Sequence, residues 1–172
     1  PAGVALALSV QVHLVGDELR LRYALRGEVA ALRLPEPANP GPADGLWQHT
    51  CFEAFVANDG EAAYREFNFS PSGQWAVYRF SAERERDALG ESRHPVSLAA
   101  PHTVVAPDTL TLAAHVSIAA PPRGLSALCI GLNAVIEEGD GRLSYWALHH
   151  PHEHPDFHHR DGRALRLAAP SN

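Results

Sequence analysis

The residue types best suited to chemistry gather in residues 47–75, which combine acids, amides and aromatic side chains in strand-like runs. Residues 50–57 and 64–69 each have the composition of a β-strand, in which alternate side chains lie on one face. If these two strands pair, Glu53 and Glu66 lie close together on one polar face. An acid in such an aromatic strand needs a partner, which is either another protein group or a ligand.

Two neighbouring carboxylates have three interpretations, and the residues alone leave all of them open. The acids can be solvated, or can form ion pairs with Arg65 or Arg79, although Arg65 is expected on the opposite face. They can accept hydrogen bonds from a bound ligand. They can also act as the two carboxyl groups of a sugar-active hydrolase, with Glu53 and Glu66 on either side of a glycosidic bond.

The three tryptophans are the second sign of a ligand site, because each lies near the end of a predicted strand. Indole rings at strand ends can stack on a sugar ring or a planar cofactor, and they can equally belong to the core. Trp75 is expected in the core. The predicted ligand-binding residues are Trp47, His49, Glu53, Glu66, Asn68 and Trp146.

Residues 149–161 form a proline-containing loop that carries six of the 11 histidines. Neutral imidazoles next to carboxylates are common transition-metal ligands, but the two-histidine helical spacing of zinc hydrolases is absent. The loop therefore has three interpretations: surface histidines, adventitious metal binding, or a functional site. A functional site would use His150, His152 and His158, with haem or a divalent metal as the cofactor.

Alternation of apolar and polar residues is the main sign of the fold that positions these groups. It runs through residues 6–14 and 19–25, which are separated by a Gly-Asp turn typical of a hairpin. Residues 29–34 are predicted as a third strand. Residues 35–45 contain four prolines and are predicted as a long loop. Residues 82–91 are predicted to form at most a short surface helix.

Further strands are predicted at residues 103–105, 110–118, 125–136 and 142–148. About ten short strands with turn residues between them, and little helix, indicate an all-β fold. The expected architecture is an antiparallel β-sandwich, immunoglobulin-like or jelly-roll-like. Residues 1–172 are expected to form a single domain.

Composition excludes several classes of function. A net charge of −6 without a basic stripe argues against nucleic-acid binding. Lysine is absent, which excludes Schiff-base chemistry, and no apolar run reaches the roughly 18 residues of a membrane span. The two cysteines lie in apolar runs far apart, where buried free thiols are expected. Unpaired thiols favour the cytoplasm, with the periplasm as the alternative if an upstream segment has been removed.

The sequence also resembles a known family. Residues 46–55 (LWQHTCFEAF) and 64–75 (YREFNFSPSGQW), together with the ending between residues 145 and 158, are similar to bacterial DOMON-like domain proteins. The resemblance extends over about residues 4–167. More remotely, Glu66 and Asn68, followed by a Pro-Ser-Gly turn and an aromatic strand, are similar to family 9 carbohydrate-binding modules and to haem-binding DOMON domains.

This resemblance implies a β-sandwich with a ligand pocket on one side. Tryptophans clamp the sugar in the carbohydrate-binding relatives, whereas methionine with histidine or lysine ligates the iron in the haem-binding ones. This chain contains neither methionine nor lysine, so only histidine ligation of haem remains open. The expected function is non-catalytic binding of a carbohydrate or related small molecule. The oligomeric state stays open.

Overall fold

The computed structural model describes residues 3–93, 96, 98–118 and 127–168. Twelve strands lie within these ranges, with one six-residue α-helix and three single-turn 3₁₀ helices. The strands are β1 (Leu6–Val15), β2 (Glu18–Gly27), β3 (Gly41–Pro42), β4 (Cys51–Asn58), β5 (Tyr64–Phe69), β6 (Gln74–Ala82), β7 (Glu85–Arg86), β8 (His102–Ala106), β9 (Thr109–Ser117), β10 (Ala127–Glu137), β11 (Leu143–Ala147) and β12 (Leu165–Ala168). The helices are the α-helix α1 (Ala88–Arg93) and the 3₁₀ turns Val29–Ala31, Leu46–Gln48 and Arg160–Gly162.

The strands form two sheets that pack face to face. The smaller sheet has the order β1-β2-β9-β8, and the larger has the order β11-β10-β4-β5-β6-β3. Strand β12 pairs with β10, and β7 pairs with β6. All the pairs are antiparallel except β3 with β6. The predicted all-β sandwich is confirmed.

Three predicted elements differ from the structure. Residues 29–34 are not a strand: Val29–Ala31 forms a 3₁₀ turn, because this segment crosses between the sheets and bonds to several different partners. Part of the predicted loop pairs instead with β6, as the two-residue strand β3. The strand predicted over residues 125–136 is β10, and residues 125 and 126 lie outside the described residues. No helix in the described ranges is long and apolar enough to cross a membrane.

The main core lies between the sheets and is built by the alternation along their strands. Strands β2 and β9 contribute fully buried side chains such as Tyr23 and Leu112, which face Phe52 on β4 and Phe67 on β5. The Tyr23 hydroxyl donates a 2.8 Å hydrogen bond to the backbone carbonyl of Glu53, so this polar group is satisfied inside the core. One face of the large sheet is therefore completely occupied by the smaller sheet.

The opposite face of the large sheet is also covered, but by loops. A second apolar cluster there includes Phe55, Tyr64 and Phe80. Phe157 packs against it from residues 149–161, the histidine-rich loop. As a result, β4 is buried along nearly its whole length on both faces. Between the loops this outer face stays partly open, and the acids predicted to bind a ligand lie in that opening.

Candidate functional site

A cleft of about 1040 Å³ lies on the outer face of the large sheet. Its floor comes from the central strands β4, β5 and β6, with contributions from β10 and β11. One wall is the segment 44–48, and the other is residues 155–158 of the histidine-rich loop. Two arginines, Arg84 and Arg86, border the cleft at the β6–β7 hairpin. The volume is at the upper end of the roughly 300–1,000 Å³ common for small-molecule sites.

Strand register places the two predicted acids on the floor of this cleft. Glu53 on β4 is directly opposite Asn68 on β5, and Glu66 lies two residues before Asn68 on the same strand. Because alternate residues share a face, Glu53 and Glu66 are diagonal neighbours. Their exposed fractions are 2% and 6%, and both line the cleft. The structure thus brings these two carboxyl groups together.

Asn68 lies beneath the cleft surface and holds one of the acids. Its Nδ2 donates a 2.6 Å hydrogen bond to Oε1 of Glu66, and its Oδ1 lies 3.5 Å from the Cys51 thiol, which donates to it. Asn68 is completely buried, and it does not line the cleft. The structure therefore places Asn68 behind Glu66, where its amide orients the carboxyl group that lines the cleft.

The two acids have different electrostatic surroundings. Burial raises the pKa of Glu53 well above its ordinary value of 4.5, and the nearby charge of Glu66 raises it further. Burial also raises the pKa of Glu66, but the hydrogen bond from Asn68 and the positive charges of Arg86 and Arg84 oppose that effect. Glu66 is thus the better site for a negative charge.

His158 closes one side of the cleft as a neutral imidazole. The Tyr64 hydroxyl accepts a 3.2 Å hydrogen bond from the backbone N–H of Arg84 and lies 2.8 Å from Nδ1 of His158. A hydrogen bond thus joins the hydroxyl and Nδ1, and Nε2 on the other side of the ring lies 3.8 Å from Oε2 of Glu66. Burial lowers the pKa of His158 to about 4, with a further contribution from the charge of Arg84.

Both bordering arginines are held in place by neighbouring side chains. Arg84 donates a 2.7 Å hydrogen bond to Asp156 in the histidine-rich loop. Arg86 forms two 3.0 Å hydrogen bonds with Glu91 of α1 and places its guanidinium 4.6 Å from the ring centre of Tyr78. These contacts fix the two guanidinium groups, so their positive charge reaches Glu66 without an ion pair to it.

Tyr78 connects the floor of the cleft to the wall formed by the segment 44–48. Its hydroxyl donates a 2.9 Å hydrogen bond to Asp44. Burial together with this bond raises the pKa of Tyr78 to about 12, so the phenol stays neutral. The wall then turns at Gly45, whose φ of 73° is in the left-handed region that favours glycine. This turn places the following residues, including Trp47, at the rim.

Exposed aromatic rings line the upper part of the cleft. Trp47 is 52% exposed on its 3₁₀ turn, and Tyr145 on β11 is 45% exposed. Phe157 lies edge-on to Tyr145, with 6.1 Å between the ring centres. The sequence had suggested Trp47, but it did not suggest Tyr145, Tyr78 or Phe157. Together these rings give the cleft apolar surfaces above its buried acids.

Two predicted ligand-binding residues lie elsewhere. Trp146 packs against the main core and donates from Nε1 to the Ser144 hydroxyl at 3.0 Å, because alternation along β11 gives the cleft face to Tyr145. His49 does not line the cleft; its Nδ1 lies 2.8 Å from Oε2 of Glu137. The structure therefore places both residues outside this cleft, although each is close in sequence to residues that line it.

The predicted metal ligands are also separate. The His152 ring contacts His159 at 4.8 Å between ring centres, and His150 packs near Phe157. His158 alone is in the cleft. Over the ranges that the structure describes, no group of three histidine, cysteine, aspartate or glutamate side chains is arranged to hold a metal ion. The structure therefore does not bring His150, His152 and His158 together.

Solved structures share this fold. The chain is similar to a candidate carbohydrate-binding protein from Bacteroides uniformis ATCC 8492, with a TM-score of 0.61, 17% identity, and coverage of 91% of this chain and 75% of that one. It is also similar to a family 9 carbohydrate-binding module from Caldicellulosiruptor kristjanssonii in complex with cellotriose. The TM-score is 0.56 at 12% identity, with 84% of this chain and 65% of that one covered.

The structure of the same module in complex with glucose also has a TM-score of 0.56 with this chain, at 12% identity. The match covers 84% of this chain and 66% of that one. No family model matches the sequence, and no curated protein matches it. At these identities the likeness shows the fold, which is that of a carbohydrate-binding-module-like β-sandwich.

Proposed function

We propose that this chain is a non-catalytic binding module, of the DOMON-like or family 9 carbohydrate-binding type, that holds a sugar in the cleft. The observation that carries the proposal is one open cleft that is lined both by the exposed rings of Trp47 and Tyr145 and by the buried carboxyl groups of Glu53 and Glu66. An apolar wall with a few fixed polar groups is the general composition of a small-molecule site.

A sugar ring suits both kinds of surface. Its C–H face is apolar and stacks on aromatic rings, which bury large areas at low conformational cost. Its hydroxyl groups donate to carboxylates, and hydrogen bonds to a charged acceptor are about twice as strong as neutral ones. Asn68 orients Glu66 beforehand, so little ordering is needed when the ligand binds.

The fold likeness supports the same ligand class. The family 9 module from C. kristjanssonii is described in complex with cellotriose and with glucose, and the B. uniformis protein is described as a candidate carbohydrate-binding protein. Glucose and cellotriose are therefore the first ligands to test, followed by galactose, mannose, xylose and their short oligomers.

Isothermal titration calorimetry at pH 6 to 7 tests the proposal. We expect saturable binding of at least one sugar in the panel, weakened about tenfold or more by Trp47→Ala, because the stacking face is lost. Leu89→Ala is the matched control, since Leu89 is exposed on α1 and does not line the cleft. Absence of binding by the folded protein to every sugar would contradict the proposal.

Hydrolysis is a separate outcome of the same experiment. In a glycosidase the two carboxyl groups lie on either side of the scissile bond, whereas Glu53 and Glu66 are neighbours on one floor. We therefore expect cellotriose to be recovered intact after prolonged incubation. Release of shorter sugars, lost in both Glu53→Gln and Glu66→Gln, would replace the binding-module assignment with that of a hydrolase.

A further inference from the structure

We propose that Glu53 and Glu66 share one negative charge at neutral pH, with Glu53 as the neutral acid, so that the cleft floor offers one hydrogen-bond donor beside one acceptor. The inference rests on the proposed function for the identity of the ligand. It adds the ligand's charge: an uncharged sugar, whose hydroxyl groups both donate and accept, in preference to an acidic or amino sugar.

Within the described residues, no cation and no hydrogen-bond donor contacts the Glu53 carboxyl group to hold a negative charge there. Its cross-strand neighbours are neutral amides, Asn133 on β10 and Asn68 on β5. The thiol of Cys51 is the nearest titratable group on its own strand, and Tyr23 beneath it binds only the backbone carbonyl. In the described part of the chain, no side chain donates a hydrogen bond to the Glu53 carboxyl group, although it is 2% exposed and lines the cleft.

Glu66 has the opposite surroundings. It accepts the 2.6 Å hydrogen bond from Asn68, and two guanidinium groups, on Arg84 and Arg86, border the same cleft. Nε2 of His158 lies 3.8 Å from Oε2 of Glu66. The remaining acid of the cleft, Asp44, accepts a hydrogen bond from the Tyr78 hydroxyl on the wall. A single negative charge on the floor is thus held at Glu66.

A second buried group beside Glu53 lacks a partner. Asn133 is 2% exposed, and its Nδ2 makes no hydrogen bond within the described residues. Buried donors in native proteins are nearly always paired, so an exception requires a group that completes it. Asn133 is directly opposite Glu53, where side chains of paired strands are in contact range. Asn133 is buried and does not line the cleft, so Glu53 is the member of this pair that faces a ligand.

The chemical consequence is a specific choice of ligand. The Glu53 carboxyl group donates its proton to a ligand oxygen, while Glu66 accepts from a ligand hydroxyl. A carboxylated sugar would bring a second negative charge next to Glu66, and a cationic amino sugar would favour ionisation of both acids. An uncharged sugar, whose hydroxyl groups both donate and accept, matches one protonated acid beside one ionised acid.

The protonation state can be measured without any ligand. In protein labelled with ¹³C at the glutamate carboxyl carbons, we expect one carboxyl signal to remain in the protonated range at pH 7. Glu53→Gln should remove that signal. Glu36→Gln, at an exposed position before β3, is the control and should leave that signal in place. A Glu53 carboxyl group that is ionised at pH 7 would overturn the inference.

Calorimetry between pH 5 and pH 9 tests whether ligand binding depends on the proton of the Glu53 carboxyl group. We expect the affinity for glucose or cellotriose to fall about tenfold per pH unit once Glu53 ionises. In Glu53→Gln, whose amide donor cannot ionise, the affinity should not vary with pH and should exceed that of the parent protein at pH 9. Glu66→Gln should weaken binding about 100-fold, and Glu36→Gln should match the parent at every pH.

Glucuronate and glucosamine complete the test. We expect both to bind at least tenfold more weakly than glucose at pH 7; tighter binding of glucosamine, with proton release, would show a cation site and overturn the inference. Sugar binding with an ionised Glu53 would overturn this inference alone. A protonated Glu53 with no sugar bound at any pH would overturn the proposed function, together with the ligand choice that depends on it.

Discussion

Strands β4 and β5 present two buried faces that differ in one respect. On the core face, Phe52 and Phe67 pack against the smaller sheet among apolar side chains and Tyr23, whose hydroxyl is hydrogen-bonded. On the cleft face of the same strands, Glu53 and Glu66 are buried nearly as deeply, but against loops and open space. Equal burial thus has different consequences: the first face is complete in itself, whereas the second has hydrogen-bonding groups that nothing in the described protein uses.

The difference follows from the free energy of burial. Apolar burial stabilises the fold by about 25 cal/mol per Å², while a buried polar group without a partner costs roughly 1–3 kcal/mol. The core face therefore provides the stability that allows the cleft face to keep its acids. Substitutions on the core face should change stability, and substitutions on the cleft face should change binding. Four predictions test that division.

The largest effect is expected at Phe67, which is completely buried on the core face. Phe67→Ala removes the ring and leaves a cavity between the sheets, so the free energy of unfolding should fall by about 3–5 kcal/mol. Urea denaturation followed by circular dichroism measures this change. A loss below about 1 kcal/mol would mean that the two sheets do not form one tight core.

His158 should make stability depend on pH on the acid side. Because burial lowers its folded-state pKa from 6.5 to about 4, the unfolded chain binds the proton more readily between these values. Stability from this group is therefore present above pH 6.5 and is lost as the pH falls towards 4, by up to about 3 kcal/mol.

His158→Gln should remove this acid-side loss, since a glutamine side chain does not titrate. The difference in unfolding free energy between parent and variant, measured from pH 7 to pH 4, gives the result directly. The buried Glu53 acts in the opposite direction: its raised pKa means that stability falls as the pH rises above 4.5. If His158→Gln loses as much unfolding free energy between pH 7 and pH 4 as the parent protein does, His158 is solvated in the folded protein.

The fold was largely predictable, because alternation is a local property that each strand carries. It identified both faces of β4 and β5 and placed Glu53 and Glu66 together. The tight turn at residues 70–73 also fixes the register of β5 and β6, which sets Tyr78 opposite Glu66. Tyr78 could therefore have been found from the sequence.

Other parts of the site depend on docking of loops, which no local pattern encodes. Phe157 and His158 reach the cleft only because the histidine-rich loop folds over the sheet. Arg86 reaches it through a two-residue strand that pairs with β6. The position of Trp146 has a different explanation. Its neighbour Tyr145 is on the face of β11 that lines the cleft, and the sequence pattern does not show which residues of this short strand face the cleft.

Asn68 is the point at which the two faces meet, so its replacement should affect both properties. Asn68→Ala removes the hydrogen bond to Glu66 and leaves a buried carboxyl group without it, which should cost about 1–3 kcal/mol of stability. Sugar affinity should fall as well, because Glu66 is no longer oriented. Full stability with unchanged affinity, by urea denaturation and calorimetry, would rule out this positioning role.

Tyr145 and Trp146 provide the finest comparison, since they are adjacent on β11 and face opposite sides. Tyr145 is 45% exposed above the cleft, so Tyr145→Ala should weaken sugar binding by roughly three- to tenfold and change stability by no more than about 0.5 kcal/mol. Trp146→Ala should instead destabilise the protein, because its ring packs against the core. Equal effects of the two substitutions on binding would mean that the ligand lies at the end of β11 rather than in the cleft, since only an end position would contact both rings.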